Sequence, residues 1–216
     1  MLMQQKIGPK LVPNREFARL ATDQQIEEVV SALETRNIHA VVVNNKEEAK
    51  KLVLDLIPQG AEVYANISKT LEEIGITAEI DESGHYDAVR PKVMALDRKT
   101  QADEMRILRS RPAFIIGSVH AITEEGVILT ASNGGSQIAP YAYGANKVIL
   151  VVGTQKIVKD LEEGFRRIEE YSYPLEDARL RSTLGMPSAV GKILVVNREV
   201  ISGRTTVILV KQELGF

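Results

Sequence analysis

Two adjacent glutamates, Glu124 and Glu125, lie in front of a glycine in the stretch AITEEGVILTA (residues 121–131). A carboxylate in such a place has two chemical uses, because it can attack an acyl group or accept a proton. In an extended chain His120 and Glu124 share one face, whereas Glu125 points to the other. The alternation therefore selects Glu124 as the candidate catalytic residue. The alternative is an ordinary hairpin turn in which both carboxylates are solvated.

A glycine pair follows in the stretch ASNGGSQIA (residues 131–139). Gly134 and Gly135 permit positive φ angles and a close approach of the backbone to a ligand, and Asn133 and Ser136 flank them with polar groups. Asn-Gly is also a frequent turn signal. A ligand-binding loop and a plain turn therefore remain as two open interpretations.

Asn66, Ser68, Lys69 and Thr70 lie in ANISKTLEE, where a predicted strand passes into a predicted helix. Free backbone N–H groups and the helix dipole suit such a junction to an anion, and Lys69 adds a positive charge. The alternative, favoured on the motif alone, is a plain N-cap by Ser68 or Thr70. A similar junction, GTQK, ends at Lys156, for which a solvated surface position is the favoured interpretation.

These junctions depend on an alternation of strands and helices. Short apolar, β-branched segments predict strands at residues 38–44, 61–65, 113–118, 127–131 and 147–153. Helical periodicity predicts helices at residues 22–37, 45–56, 68–75 and 100–110, and one more beginning near residue 158. The alternation indicates an α/β fold with a doubly wound, mostly parallel sheet flanked by helices. Ligands of such sheets bind at the carboxyl ends of the strands, where the junctions lie.

Local signals add detail at both ends of the chain. Thr22 with Gln25 has the spacing of a capping box, and Asn45 is a predicted cap of the second helix. The segments KILVVN (residues 192–197) and TTVILVK (residues 205–211) are separated by a loop with a glycine. They predict a C-terminal β-hairpin.

Composition removes several classes of chemistry. The 216 residues contain no cysteine, which excludes disulfides, cysteine-bound clusters, a thiol nucleophile and any cofactor attached through cysteine. His120 and Glu124 lack a nameable third ligand, so no metal site is predicted. With 27 basic and 29 acidic residues and no dense basic run, nucleic acid is not a predicted partner. The sequence has neither a signal peptide nor a membrane span, which predicts a cytoplasmic protein.

Several segments, taken together and in order, resemble one known family. LEEIG, AITEEG, ASNGGSQIA, GANKVILVVGTQKIVKDLEE and TTVILVKQELGF are similar to the LUD domain of lactate-utilisation proteins. The similarity begins near residue 14, which leaves residues 1–13 as an N-terminal tail and 14–216 as a single LUD-like α/β domain. It implies the Rossmann-like fold of ribose-phosphate isomerases, glucosamine-phosphate deaminases and CoA transferases.

The resemblance also carries expectations about partners. LUD proteins accompany iron–sulfur proteins in lactate oxidation, so such partners are implied. Some similar proteins carry a cysteine cluster in the region that reads RLRSTLGMPSAVGKILVV here, and this chain has none. The family's G-x-G-N-R-like loop is SNGGSQ in this sequence, without the arginine.

A second resemblance concerns the glutamates. TEEGVI (residues 123–128) is similar to the S-E-N-G signature, followed by two apolar residues, of one class of CoA-transferase subunits. Glu124 matches the glutamate that attacks the acyl-CoA in that class. Acyl transfer would then proceed through an anhydride, with the loop at Gly134 and Gly135 as a candidate for oxyanion stabilisation.

Three functions therefore remain open. The first is a LUD-type protein of lactate or related 2-hydroxy-acid utilisation that binds a small anion, whether a carboxylate, a phosphate or a CoA thioester. The second is a non-catalytic accessory subunit of an iron–sulfur complex. The third is an enzyme that uses Glu124, as a CoA transferase or as a phosphosugar isomerase with phosphate at Ser68 to Thr70. The sequence leaves the oligomeric state open, a homo-oligomer included.

Overall fold

A six-stranded parallel sheet organises residues 11–216, the part of the chain that the computed structural model describes. Most of the predicted tail, residues 1–10, lies outside the described residues. Within these described residues the strands are β1 (His39–Val43), β2 (Glu62–Ala65), β3 (Asp87–Ala88), β4 (Phe114–Gly117), β5 (Ala121–Thr123), β6 (Ile128–Ser132), β7 (Lys147–Gly153), β8 (Ile157–Val158), β9 (Lys192–Val196) and β10 (Thr205–Val210). The order across the main sheet is β1-β10-β7-β4-β2-β3, and all neighbouring strands are parallel.

Helices cover both faces of this sheet. They are α1 (Asp23–Thr35), α2 (Lys46–Asp55), α3 (Lys69–Glu73), α4 (Ile76–Glu82), α5 (Val89–Ala95), α6 (Ala102–Ser110), α7 (Leu161–Arg167) and α8 (Tyr173–Leu184). One hydrophobic core takes apolar side chains from α1, α5 and α6, and the opposite core takes them from α2, α3 and α4. The predicted doubly wound α/β architecture is therefore confirmed. Within residues 11–216, no helix combines the length and the apolar character needed to cross a bilayer.

The central strand β7 shows why this sheet forms. Val148, Leu150 and Val152 enter the core on the α1 side, whereas Ile149 and Val151 enter the opposite core. A strand that is apolar on both faces has to lie inside a sheet covered by helices on both sides. The continuous apolar pattern of KVILVVG thus determines the position of the strand.

Two predicted helix caps are confirmed. Thr22 and Gln25 form the reciprocal capping box at the start of α1, where the Gln25 N–H donates to Thr22 Oγ1 at 3.3 Å. The Asn45 side chain accepts the N–H of Glu48 at 2.9 Å at the start of α2. These bonds satisfy N–H groups that a helix cannot pair internally.

A second, mixed sheet has the order β8-β5-β6-β9 and corrects the predicted C-terminal hairpin. β9 pairs antiparallel with β6, whereas β10 lies between β1 and β7 in the main sheet. The physical reason is burial, because β10 is apolar and covered along its length, while β9 is an edge strand with an exposed first half. The predicted pairing of these two segments is therefore wrong.

Gly117 ends β4 in a place where a side chain would meet Tyr141, since a Cβ built there would lie 1.5 Å from the tyrosine hydroxyl oxygen. We expect Gly117→Ala to lower the free energy of unfolding by about 1–3 kcal/mol, because the core has to shift to admit the methyl group. Urea denaturation measures this. Gly134→Ala, with no atom within 4 Å of the added carbon, is the matched control. Equal stability of Gly117→Ala and the wild type would contradict the packing described.

Candidate functional site

A cavity of about 570 Å³ opens at the carboxyl ends of the main sheet. It is lined by the segment after β2, from Asn66 to Thr70, by Ser118 and His120 after β4, and by Lys156 after β7. Parallel strands bring their carboxyl ends to one edge, which explains why segments distant in sequence meet here. Loop residues Asn133, Gly134 and Ser136 complete this side of the cavity.

The structure brings most of the predicted ligand-binding residues together. The cavity is lined by Asn66, Ser68, Lys69, Thr70, His120, Asn133, Gly134 and Ser136. Gly135 does not line it, but its φ of +93° forms the turn, and its N–H donates to Ser132 Oγ at 2.9 Å. The glycine pair therefore shapes the loop.

Glu124 lies elsewhere, in the turn between β5 and β6, and is not among the cavity residues. Its carboxylate accepts a hydrogen bond from Gln25 Nε2 at 2.9 Å, which attaches the turn to α1. Glu125 points away, with its side chain 82% exposed. Glu124 and His120 are thus not assembled at one cavity, and no cavity contact supports the catalytic role predicted for Glu124.

Lys156 lines the cavity and is almost fully buried, at 1% exposure. Its Nζ donates to Thr70 Oγ1 and to Ser118 Oγ, each at 3.0 Å. One amine therefore joins the segments that follow β2, β4 and β7. The predicted solvated position for Lys156 is wrong, because the chain after β7 makes a 3-10 turn (Thr154–Lys156) and enters β8 instead of starting an exposed helix.

The surroundings of Lys156 favour the neutral amine. Within residues 11–216, no carboxylate oxygen lies within 4.0 Å of Nζ. Burial, followed by the charge of nearby Arg167, lowers the pKa of Lys156 well below its ordinary value. Removal from water disfavours an unpaired ammonium ion, and the neutral form still bonds to both hydroxyls.

His120 is held in one neutral form. Its Nδ1 accepts the backbone N–H of Ala131 at 3.0 Å, so the ring proton is on Nε2. Burial, with a smaller effect from the charge of Arg167, lowers the pKa of His120 to about 3. The imidazole therefore presents an uncharged ring to the cavity at neutral pH.

Arg167 lies behind the cavity and holds the backbone at His120 and next to Lys156. It is fully buried and donates to the carbonyl oxygens of His120 and Gln155 and to Ser172 Oγ. Its guanidinium also lies over the ring of Tyr171, 5.0 Å from the centroid. Burial lowers the pKa of Arg167 to about 10, which leaves it charged at neutral pH. This positioning residue was not predicted from the sequence, because no local signal separates it from its exposed neighbour Arg166.

The cavity lining also includes Arg90, Arg98 and Arg109, called here the arginine wall. Arg90 Nε lies 3.6 Å from a carboxylate oxygen of Asp81. Arg109 Nε is buried and has no acceptor among residues 11–216. Arg90 and Arg98 belong to the region, residues 76–100, in which the sequence pattern was not interpretable, so the wall was missed.

Other charges at the cavity are paired. Lys69 lies 3.0 Å from Glu72, and Arg179 makes two bonds of 2.7 Å to Glu176. Within residues 11–216, Arg98 and Arg109 of the arginine wall have no carboxylate within 4.0 Å, so they add uncompensated positive charge to the cavity. In the described part of the chain, no group of three or more acidic or histidine side chains is arranged to hold a metal ion.

The lowered pKa of His120 makes stability depend on pH. The unfolded state takes up a proton below about pH 6.5 and the folded state only near pH 3, so stability present above pH 6.5 is lost as the pH falls between these values. We expect His120→Asn, which keeps the acceptor for Ala131, to abolish a loss of about 3 kcal/mol between pH 7 and pH 4. Urea denaturation across this range tests it against the control His85→Asn, whose histidine is exposed. An unchanged pH profile in His120→Asn would contradict the assignment.

Comparisons with known proteins show which structures and which family the chain is similar to. Among solved structures, a DUF162 family protein from Deinococcus radiodurans is similar, with a TM-score of 0.55 and 15% identity over 89% of this chain and 99% of that one. eIF2B beta from Chaetomium thermophilum gives a TM-score of 0.36 at 18% identity, over 68% of this chain and 46% of that one. No curated protein matches. The profile of the LUD domain matches residues 26–210, and the chain therefore belongs to the LUD domain family.

Proposed function

We propose that this LUD domain protein binds a small anionic metabolite in the cavity at the carboxyl ends of the main sheet, and that the metabolite is a 2-hydroxy acid such as lactate. The observation that carries the proposal is the arginine wall, in which Arg98 and Arg109 line the cavity without a carboxylate within 4.0 Å in residues 11–216. Guanidinium groups without an acidic partner at a cavity attract an anion. The family name, which refers to lactate utilisation, supports the choice of metabolite.

The chemistry of the lining suits this class of ligand. A guanidinium group presents a planar pair of donors that matches a carboxylate or a phosphate. Ser68 begins α3 without a capping bond from its side chain, so its hydroxyl is available to a ligand hydroxyl. Asn133 and Gln137 add amide groups on the facing loop. Recognition of an acid that also carries a hydroxyl group follows from these two kinds of donor.

The groups available for chemistry are an amine and an imidazole. Lys156 and His120 line the cavity, whereas Glu124 does not. Support for carboxylate-based acyl transfer or isomerisation is correspondingly weak, and our proposal does not use Glu124. The iron–sulfur partners and the CoA thioester named from the family resemblance remain predictions.

A thermal-shift screen followed by calorimetry tests the proposal, with L-lactate, glycolate, 2-hydroxybutyrate and inorganic phosphate as probes. A ligand of the folded state raises the unfolding midpoint by mass action. We expect Arg109→Gln to weaken binding about 10- to 100-fold, because it removes a charged hydrogen-bond donor.

Arg106→Gln supplies the matched control, since Arg106 lies on the same helix, is 73% exposed and pairs with Asp103. It should bind as the wild type does. Binding that is insensitive to Arg109→Gln, or no binding by any of the four probes, would refute the proposal.

A further inference from the structure

We infer that Lys156 is an amine nucleophile that forms an imine with the carbonyl carbon of a 2-oxo acid bound in this cavity. The inference rests on the proposed function for the site and for recognition of the carboxylate. It adds a covalent step and changes the substrate class to one that has a carbonyl group. It assigns to Lys156 a role that hydrogen bonding alone does not require.

The hydrogen bonds of Nζ define its geometry. Thr70 Oγ1 donates its own hydrogen to the carbonyl oxygen of Leu214 at 3.3 Å, so it accepts from Nζ. Ser118 Oγ is the second acceptor. A neutral amine has two N–H bonds and a lone pair, and these two oxygens can accept both N–H bonds. The lone pair is then left for an electrophile, whereas an ammonium ion would have a third N–H without an acceptor in residues 11–216.

The electrostatic surroundings agree with this geometry. The positive charge of Arg167 and the burial of the amine both oppose protonation of Lys156 and lower its pKa. Lysines activated in this way are known as nucleophiles toward carbonyl groups. Lys69 also lines the cavity, but it is paired with Glu72 and its side chain is 36% exposed. Lys156 is therefore buried without an acidic partner, whereas Lys69 is partly exposed and paired, so the reactivity of the two amines can be compared within one cavity.

The reaction balances without an oxidant or a reductant. Nζ attacks the carbonyl carbon, a C–N bond forms, and the C=O π electrons move to the oxygen, which takes up a proton. The nitrogen loses its two protons, the oxygen leaves as water, and a C=N bond results. The Ser118 hydroxyl, 3.0 Å from Nζ, is placed to relay protons between the nitrogen and the oxygen. Amine and carbonyl are thus converted to imine and water.

Reductive trapping tests the inference on the full chain. The protein is incubated with pyruvate, 2-oxobutyrate or glyoxylate and treated with cyanoborohydride, and the labelled residue is identified by peptide mass spectrometry. We expect one reduced adduct per chain, on Lys156.

Variants separate Lys156 from the other amines. Lys156→Met should lose the adduct, whereas the exposed Lys159→Gln should keep it. Mapping of the wild-type protein gives the answer even if Lys156→Met fails to fold. Adducts spread over exposed lysines, or no adduct with any of the three 2-oxo acids, would overturn the inference.

The two proposals fail in different ways. If anions bind in an Arg109-dependent way but no adduct forms on Lys156, the imine inference is contradicted and the proposed binding function is supported. The opposite result is an adduct on Lys156 that forms equally well in Arg109→Gln, with no binding of 2-hydroxy acids. That result would contradict the proposed binding function instead. Labelling at Lys156 that Arg109→Gln slows by tenfold or more would support both.

Discussion

The site depends on one buried amine. Lys156 Nζ is hydrogen-bonded to hydroxyls that follow two other strands of the main sheet, and together these bonds hold three strand ends around the cavity. Burial of an amine is costly unless it is hydrogen-bonded and uncharged. Neighbouring structure maintains the burial, because Gln155 Nε2 donates to the carbonyl oxygen of Leu214 at 2.9 Å and closes the C-terminal segment over the same region.

Three basic groups, Lys156, His120 and Arg167, lie close enough to affect one another's protonation. Arg167 keeps its charge because backbone carbonyls and an aromatic ring surround its guanidinium. Its charge and the shared burial favour the neutral forms of the other two. Titratable groups displaced from their ordinary pKa are enriched at functional sites, although structural networks also displace them. Here the displaced groups line a cavity, which favours the functional interpretation.

Local chemistry made much of the fold predictable. Apolar segments such as KVILVVG and caps such as Thr22 and Asn45 act over a few residues, so their signals survive in the sequence. The partner of β10 could not be predicted in the same way. An apolar strand takes an interior place in the sheet when helices bury both of its faces. The whole fold determines this burial, and the loop that joins two segments does not.

The candidate site was predictable only in part. Residues after strands, such as Asn66 and His120, are found by the rule that ligands bind at carboxyl ends. Lys156 was found at such a place and then assigned to the surface, because a lysine is rarely buried and nothing local shows which chain segments cover it. The arginine wall comes from residues that surround the cavity only after α5 and α6 have packed. Glu124 was selected from its motif, and the structure places it outside the cavity, so its catalytic role stays a prediction.

The central claim is that burial favours the neutral form of the Lys156 amine, so that it loses its proton well below the pH at which an ordinary lysine does. NMR of the side chain, with ¹³Cε and ¹⁵Nζ shifts assigned by comparison with Lys156→Met, measures its protonation directly. We predict a titration midpoint well below the ordinary lysine value of about 10.4. Shifts of an ammonium ion at pH 7, titrating near the ordinary lysine value of about 10.4, would contradict the account.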